Sequence, residues 1–268
     1  MNQIDKVFAE LKAAGKTALI PFISVGDPDL DTTVDIVKAL EQAGADIIEL
    51  GVPYSDPLAD GPVIQKASER ALRNKVTLLD CINVAERLQD EGVRMPLILF
   101  TYYNPVLQYG PESFFELVAS KGISGMIIPD LPIEESESVL PLADAAGVHL
   151  IPLVAPVSRE RVVRIAENAR GFVYCVSSLG VTGVRSEFHS GIDEFLSTVR
   201  EATDRPIAVG FGISSREQVV RFQQQCDGVI VGSAIVRKIE ESIPLLQSPG
   251  TKEQGISEIA QFVASLKV

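Results

Sequence analysis

Short apolar runs alternate with amphipathic stretches along the whole chain, one pair roughly every 25 to 35 residues. The strand candidates are 18–25, 46–50, 96–100, 125–128, 149–154, 172–176, 207–209 and 228–231. They are brief and often continuously apolar, which suits parallel strands covered on both faces. Helical spacing fills the intervals. Val34, Ile36, Val37, Leu40 and Ala43 repeat at helical intervals before a stop at Gly44. The segment from Lys75 to Gly92 carries Leu79, Ile82, Val84 and Leu88 on one face. Ser158 is placed to cap a helix through Val162, Ile165 and Ala169, and Ser214 to Glu217 has capping-box spacing. A helix is expected over Met1 to Gly15, ahead of the first strand, and another from Lys252 to Lys267.

Eight strands alternating with helices, with no linker-like stretch, read as a single (β/α)8 TIM barrel over residues 1–268, with an extra N-terminal helix and additional helices. A doubly wound open sheet is the alternative. Even strand spacing and a last helix favour closure.

Composition narrows the partners. Twenty-four Lys and Arg stand against 36 Asp and Glu, a net charge of −12, and aromatics are 6% with no tryptophan. That balance excludes a basic nucleic-acid groove with stacking rings, and a polybasic membrane surface. Cys81, Cys175 and Cys226 are odd in number and widely spaced, a pattern of reduced, buried thiols in a cytoplasmic protein. Neither His149 nor His189 has a ligand-spaced neighbour, so no metal site is expected. The first residues read as an amphipathic helix rather than a signal peptide, and no apolar run has the length of a membrane span.

In such a barrel, chemistry belongs to the loops after the strands' C-terminal ends. The junction after the second strand is the most informative. Glu49 ends an apolar strand, where an ionised carboxylate is costly unless compensated. It is either a proton-transfer group with a raised pKa or half of a salt bridge to a neighbouring strand. Asp56 and Asp60 share a loop stiffened by Pro53, Pro57 and Pro62. One is expected to form a local turn and the other to face the site; physics alone does not choose between them.

Two later junctions indicate an anionic ligand. Gly210-Phe-Gly-Ile-Ser214 and Gly232-Ser-Ala-Ile-Val236 each run into a helix. Glycines allow close backbone approach, and helix N-termini present unpaired N–H groups to a phosphate. Amides rather than a basic patch would then hold the anion. The long junction from Ser177 to Gly191, which includes His189, suits a lid, and His189 reads as a loop or cap residue. Tyr102 and Tyr174, near the ends of the third and sixth strands, either point into the site or pack with satisfied hydroxyls.

Glu49 followed by Leu50-Gly-Val-Pro-Tyr-Ser-Asp-Pro-Leu-Ala-Asp-Gly-Pro62 resembles the signature of the tryptophan synthase α subunit family. Pro21-Phe-Ile-Ser-Val-Gly-Asp-Pro28, Gly180-Val-Thr-Gly183 and the two glycine turns are similar to further blocks of that family, in the same order. The resemblance implies retro-aldol cleavage of indole-3-glycerol phosphate to indole and glyceraldehyde 3-phosphate, with no cofactor in this subunit. Indole would pass to a pyridoxal-phosphate β subunit in an α2β2 complex. Glu49 would be the acid/base and Asp60 the partner of the indole nitrogen. Phe22, Phe100, Ile127, Tyr174 and Phe211 would line the indole pocket. Gly183, Gly212, Ile213, Gly232 and Ser233 would hold phosphate, and Thr182 would close the lid over Asp60. Pro53, Asp56, Asp130 and Pro132 would face the β subunit. Tyr54 and Phe100 depart from the family's usual Phe and smaller aliphatic residue, which bears on pocket shape and partner coupling. A stand-alone lyase releasing indole, a silent scaffold for a β partner, and a phosphosugar isomerase are the rival readings; the last leaves the strand-2 loop unexplained.

Overall fold

The computed structural model describes residues 1–176, 191–210 and 212–268. Among them, nine parallel strands form one sheet: β1 (Ala18–Ser24), β2 (Ile48–Gly51), β3 (Leu97–Phe100), β4 (Ile123–Ile127), β5 (His149–Leu150), β6 (Leu153–Val154), β7 (Val173–Val176), β8 (Ile207–Gly210) and β9 (Gly228–Val231). Their order is β5-β4-β3-β2-β1-β9-β8-β7-β6. The two ends of that series are halves of one strand. Pro152 has no N–H to give a ladder, so the expected fifth strand divides there. The Ile151 N–H still donates to the Met126 carbonyl at 2.9 Å, and the Tyr174 N–H to the Pro152 carbonyl at 3.0 Å. Main-chain bonding therefore runs around the circuit, and the eight expected strand positions close as a (β/α)8 barrel.

Strand parity sorts the apolar residues into two cores, because successive side chains point to opposite faces. Ala18, Ile20 and Phe22 of β1, Ile98 and Phe100 of β3, and Ile127 of β4 share the inner cluster. Leu19, Ile23, Ile48, Leu50, Leu97 and Leu99 join the larger outer cluster beneath the helices. The register sets Phe22 beside Glu49 and Glu49 beside Ile98. Glu49 thus alternates with outward-facing Ile48 and Leu50 and occupies the inner face.

Helix α1 (Gln3–Ala13) lies across the opposite end of the barrel from the site. Its Ile4 and Phe8 belong to the inner cluster, and the Phe8 ring lies 5.5 Å from that of Phe172. Helices α2 (Leu30–Gln42), α4 (Leu78–Asp90) and α8 (Arg159–Glu167) match the sequence reading, α8 with Ser158 accepting from the Arg161 N–H. Helices α5 (Tyr103–Tyr109), α6 (Pro111–Ser120), α7 (Leu140–Ala146) and α9 (Ile192–Ala202) come between, and the closing helix, α12, spans Lys252–Leu266. In helix-start chemistry one expectation shifts by a residue. The capping box of α10 (Arg216–Phe222) is formed by Ser215 and Gln218, not Ser214 and Glu217. All three cysteines are free and buried.

Candidate active site

Glu49 reaches its position because β2 is short and continuously apolar on its outer face, leaving the carboxylate at the C-terminal end of the barrel interior. It is 1% exposed, and among the described residues neither carboxylate oxygen has a hydrogen-bond partner. The salt-bridge alternative for Glu49 is thereby removed. Burial pushes its pKa well above the ordinary carboxylate value. Burial therefore favours the protonated form of this carboxyl group.

Asp60 comes from the loop between β2 and α3 (Pro62–Arg73), whose helix starts with proline at its first turn. It is 5% exposed, with its pKa raised to about 6 by burial, which a hydrogen bond from Tyr102 partly offsets. Tyr102 Oη lies 3.1 Å from Asp60 Oδ2. Asp56, in contrast, is exposed and accepts from the neighbouring Ser55 hydroxyl at 2.5 Å. The structure so resolves the choice left open between the two aspartates: Asp60 faces inward and Asp56 bonds locally.

The two carboxylates border one chamber of about 30 Å³, together with Phe22, Ile64, Phe100, Tyr174, Gly212, Ile230, Gly232 and Ser233. Phe22 and Phe100 meet edge to face, with centroids 5.4 Å apart. Burial pushes the Tyr174 hydroxyl pKa up. A wider groove of about 630 Å³ is bordered by Leu58, Ala59, Pro129, Asp130, Pro132 and Val176, among others. The chamber, though far smaller, is where the two buried acid groups converge, and it is the better candidate for chemistry. The groove abuts it through the Asp60 loop.

The glycine turns differ from one another. Gly212 has φ +98°, a conformation that side chains rarely adopt. Beyond it, the Ser214 and Ser215 N–H groups are taken by Gln218 Oε1 at 2.7 and 3.3 Å, so α10 caps itself. Helix α11 (Ser233–Leu246) starts from Gly232 with no side-chain cap. Its 14 residues give it the stronger dipole, and its uncapped first turn lies beside the chamber. The anion-holding role expected of both turns is thus better suited to the second helix.

Several expected residues fall elsewhere. Ile127 is in the barrel interior in register with Phe100, outside the chamber's lining. The Ile213 side chain packs in the outer core, leaving only its backbone for a ligand. Among the expected partner-facing residues, Asp56 and Asp130 are exposed, Pro132 is half-buried and Pro53 is buried. Thr182, Gly183, His189 and Phe211 lie outside the described residues. Ile64 and Ile230 border the chamber although the sequence reading does not single them out. Ile230 is available from the two-residue parity of its strand, whereas Ile64 needs the packing of α3. No cluster of His, Cys, Asp and Glu suited to a metal occurs among the described residues, and none of their helices is long and apolar enough to cross a membrane.

Known proteins resemble the chain closely. The profile of the tryptophan synthase alpha chain family matches residues 8–267. The tryptophan synthase alpha chain of Geobacillus kaustophilus is 54% identical over 247 residues, 92% of each chain. That of Thermoanaerobacter pseudethanolicus is 48% identical over 267 residues, covering 100% of this chain and 99% of the relative. Among solved structures, a chain of Mycobacterium tuberculosis tryptophan synthase superposes with a TM-score of 0.86 at 37% identity, covering 98% of both chains. Tryptophan synthase subunit alpha from Legionella pneumophila gives 0.86 at 35% identity, again over 98% of both. A buried acid pair at the mouth of a closed barrel, and likeness along nearly the whole length, lead to one assignment: the chain belongs to the tryptophan synthase alpha chain family.

Proposed function

We propose that this chain, as one domain, cleaves indole-3-glycerol phosphate through Glu49 as acid/base and Asp60 as the ring-nitrogen partner. The family's reaction is this lyase step, and its partner is a β subunit. The proposal extends to the residues, to an α2β2 assembly, to a reaction needing no cofactor in this chain, and to a cytoplasmic setting. Pyridoxal phosphate would belong to the β partner, which consumes the indole.

The observation that carries the proposal is the unlike state of two carboxyl groups on one chamber. Neutral Glu49 gives its proton to indole C3, and positive charge then develops on the ring nitrogen. Ionised Asp60 stabilises that charge most as the transition state forms. Glu49, now a carboxylate, takes the proton of the side-chain hydroxyl next to C3. The carbon–carbon bond breaks, its electron pair flows back into the ring and neutralises the nitrogen, and the hydroxyl carbon becomes the aldehyde. Protons balance: Glu49 ends as it began. Two environments divide acid and base work between like groups.

Phosphate would be held by the first-turn amides of α11 with the Gly212 and Ile213 backbone, consistent with a chain whose net charge is −12. Phe22 and Phe100 would contact the indole ring from one side of the chamber. The test is Glu49→Gln, assayed with the β subunit for glyceraldehyde 3-phosphate release. Turnover should drop by at least about a thousandfold, the scale of acid–base catalysis, while substrate still binds. Retained turnover would remove Glu49 from the chemistry. Equal wild-type rates with and without the β subunit would favour a stand-alone lyase.

A further inference from the structure

Tyr102 stands just beyond β3, against the β2–α3 loop that carries Asp60, and outside the reaction as described. Three residues of the β2–α3 loop converge on it. The Ala59 N–H donates to Tyr102 Oη at 3.0 Å. Asp60 Oδ2 lies 3.1 Å from the same oxygen. The Tyr54 ring stacks on the Tyr102 ring at 4.8 Å with 23° between planes. On its other side, the next residue's N–H, that of Tyr103, is held by Asp130 Oδ1 at 2.9 Å.

This arrangement fixes the direction of the hydroxyl proton. An ionised carboxylate only accepts, and the Ala59 N–H only donates. One lone pair of Oη receives the amide, so its proton points to Asp60. Burial and the Asp60 charge hold the phenol protonated far above neutral pH. The loop that brings Asp60 to the chamber therefore also builds, from Tyr54 and Ala59, the clamp on the group that orients it.

We propose that Tyr102 is a positioning residue for Asp60, its clamped hydroxyl aiming the carboxylate and keeping it in the ionised form that the reaction requires. This rests on the assignment of Asp60 as the ring-nitrogen partner. The ionisable groups around Asp60 are few among the described residues. Glu49 comes from β2, Tyr174 from β7 and Tyr102 from the β3 end, with no described Lys or Arg on the chamber. A single donated hydrogen bond is then a large part of what favours the charge.

The experiment is the pH profile of kcat/KM for indole-3-glycerol phosphate, measured in the complex with the β subunit. Wild type, Tyr102→Phe, Asp60→Asn and the double variant are compared, with circular dichroism verifying each fold. Phenylalanine keeps the ring and its stack on Tyr54. Loss of the hydrogen bond should move the acid limb up by about one pH unit, a tenfold deficit on that limb that closes as pH rises. The same change in the Asp60→Asn background should have less than about a twofold effect, since the amide has no charge to favour. An acid limb that stays in place in Tyr102→Phe overturns the proposal, as does an equal loss in both backgrounds. A full rate in Asp60→Asn alone overturns it by a different route, because the nitrogen-partner reading itself then fails.

Discussion

At Glu49 two carboxyl oxygens are buried without a partner among the described residues, a state that costs about 1–3 kcal/mol for the neutral group. An apolar side chain there would avoid that cost but could move no proton. Asp60 carries a related signature. Its folded pKa of about 6 lies above the ordinary 3.8. The folded state binds the extra proton between those values, so this residue's contribution favours folding in acid and is lost as pH rises toward 6. In the proposed mechanism activity runs the other way, since ionised Asp60 would be the working form. The kcat/KM of the wild-type chain should fall as pH drops through about 6, and should fall again at the higher pH where Glu49 loses its proton. A profile flat between about pH 5 and 7 would remove Asp60 from the rate-determining chemistry. The residue type at both positions was legible in the sequence. The choice of Asp60 over Asp56 came from the family resemblance and not from the physics of the loop, which can turn either carboxylate inward until β3 and Tyr102 are packed against it.

Strands place the aromatic side of the chamber. An ideal Cβ on Gly51 would lie 2.4 Å from the Phe22 ring, so the ring rests directly on β2's backbone. Gly51→Ala should push that ring aside, destabilise the fold by about 1–3 kcal/mol, and lower kcat/KM for indole-3-glycerol phosphate by at least about fivefold. Steady-state kinetics and thermal melts would check both; unchanged kinetics with the stability loss would place Phe22 outside the substrate's reach. Helix starts repeat the lesson about legibility. The apolar periods of α2, α4 and α8 were plain in the sequence, and so was the Ser158 cap. The capping box of α10 shifted by one residue because Gln218 can reach the Ser214 and Ser215 amides at once. That shift alters the site, since it occupies amides that the sequence pattern had offered to an anion.

Across the molecule, Arg70 of α3 binds both Asp27 oxygens at 2.8 and 2.9 Å and reaches Glu240 of α11 at 2.8 Å. Those three residues bind together the loop after β1, the helix that follows Asp60 and the helix that begins at Ser233. Asp27 is nearly fully buried, and its burial outweighs the guanidinium in setting its pKa above the usual carboxylate value. The ion pair therefore adds less stability than its geometry suggests, but breaking it strands a buried carboxyl group. Arg70→Ala should cost about 3 kcal/mol, measured by denaturant unfolding. A change below about 0.5 kcal/mol would mean that Asp27 finds another partner. At the far end, α1 packs Ile4 and Phe8 into the barrel interior, as the amphipathic N-terminal pattern required. The three buried thiols likewise agree with the sequence, each a small apolar group under the helices.

The alternating apolar pattern by itself determined the eight strand positions, the closing helix and the end of the barrel where chemistry belongs. Those follow from local periodicity and from parity, which makes Glu49 an inner residue as soon as Ile48 and Leu50 are outer ones. The motif around Glu49 also carried the family. Only the tertiary structure decided that Pro152 divides a strand without opening the barrel, that Asp60 rather than Asp56 turns inward, and that Tyr102 holds it. These outcomes depend on contacts between residues about 20 to 45 positions apart in sequence. Hydrogen-bond direction and burial at such contacts arise only after the barrel has closed, and no local pattern encodes them.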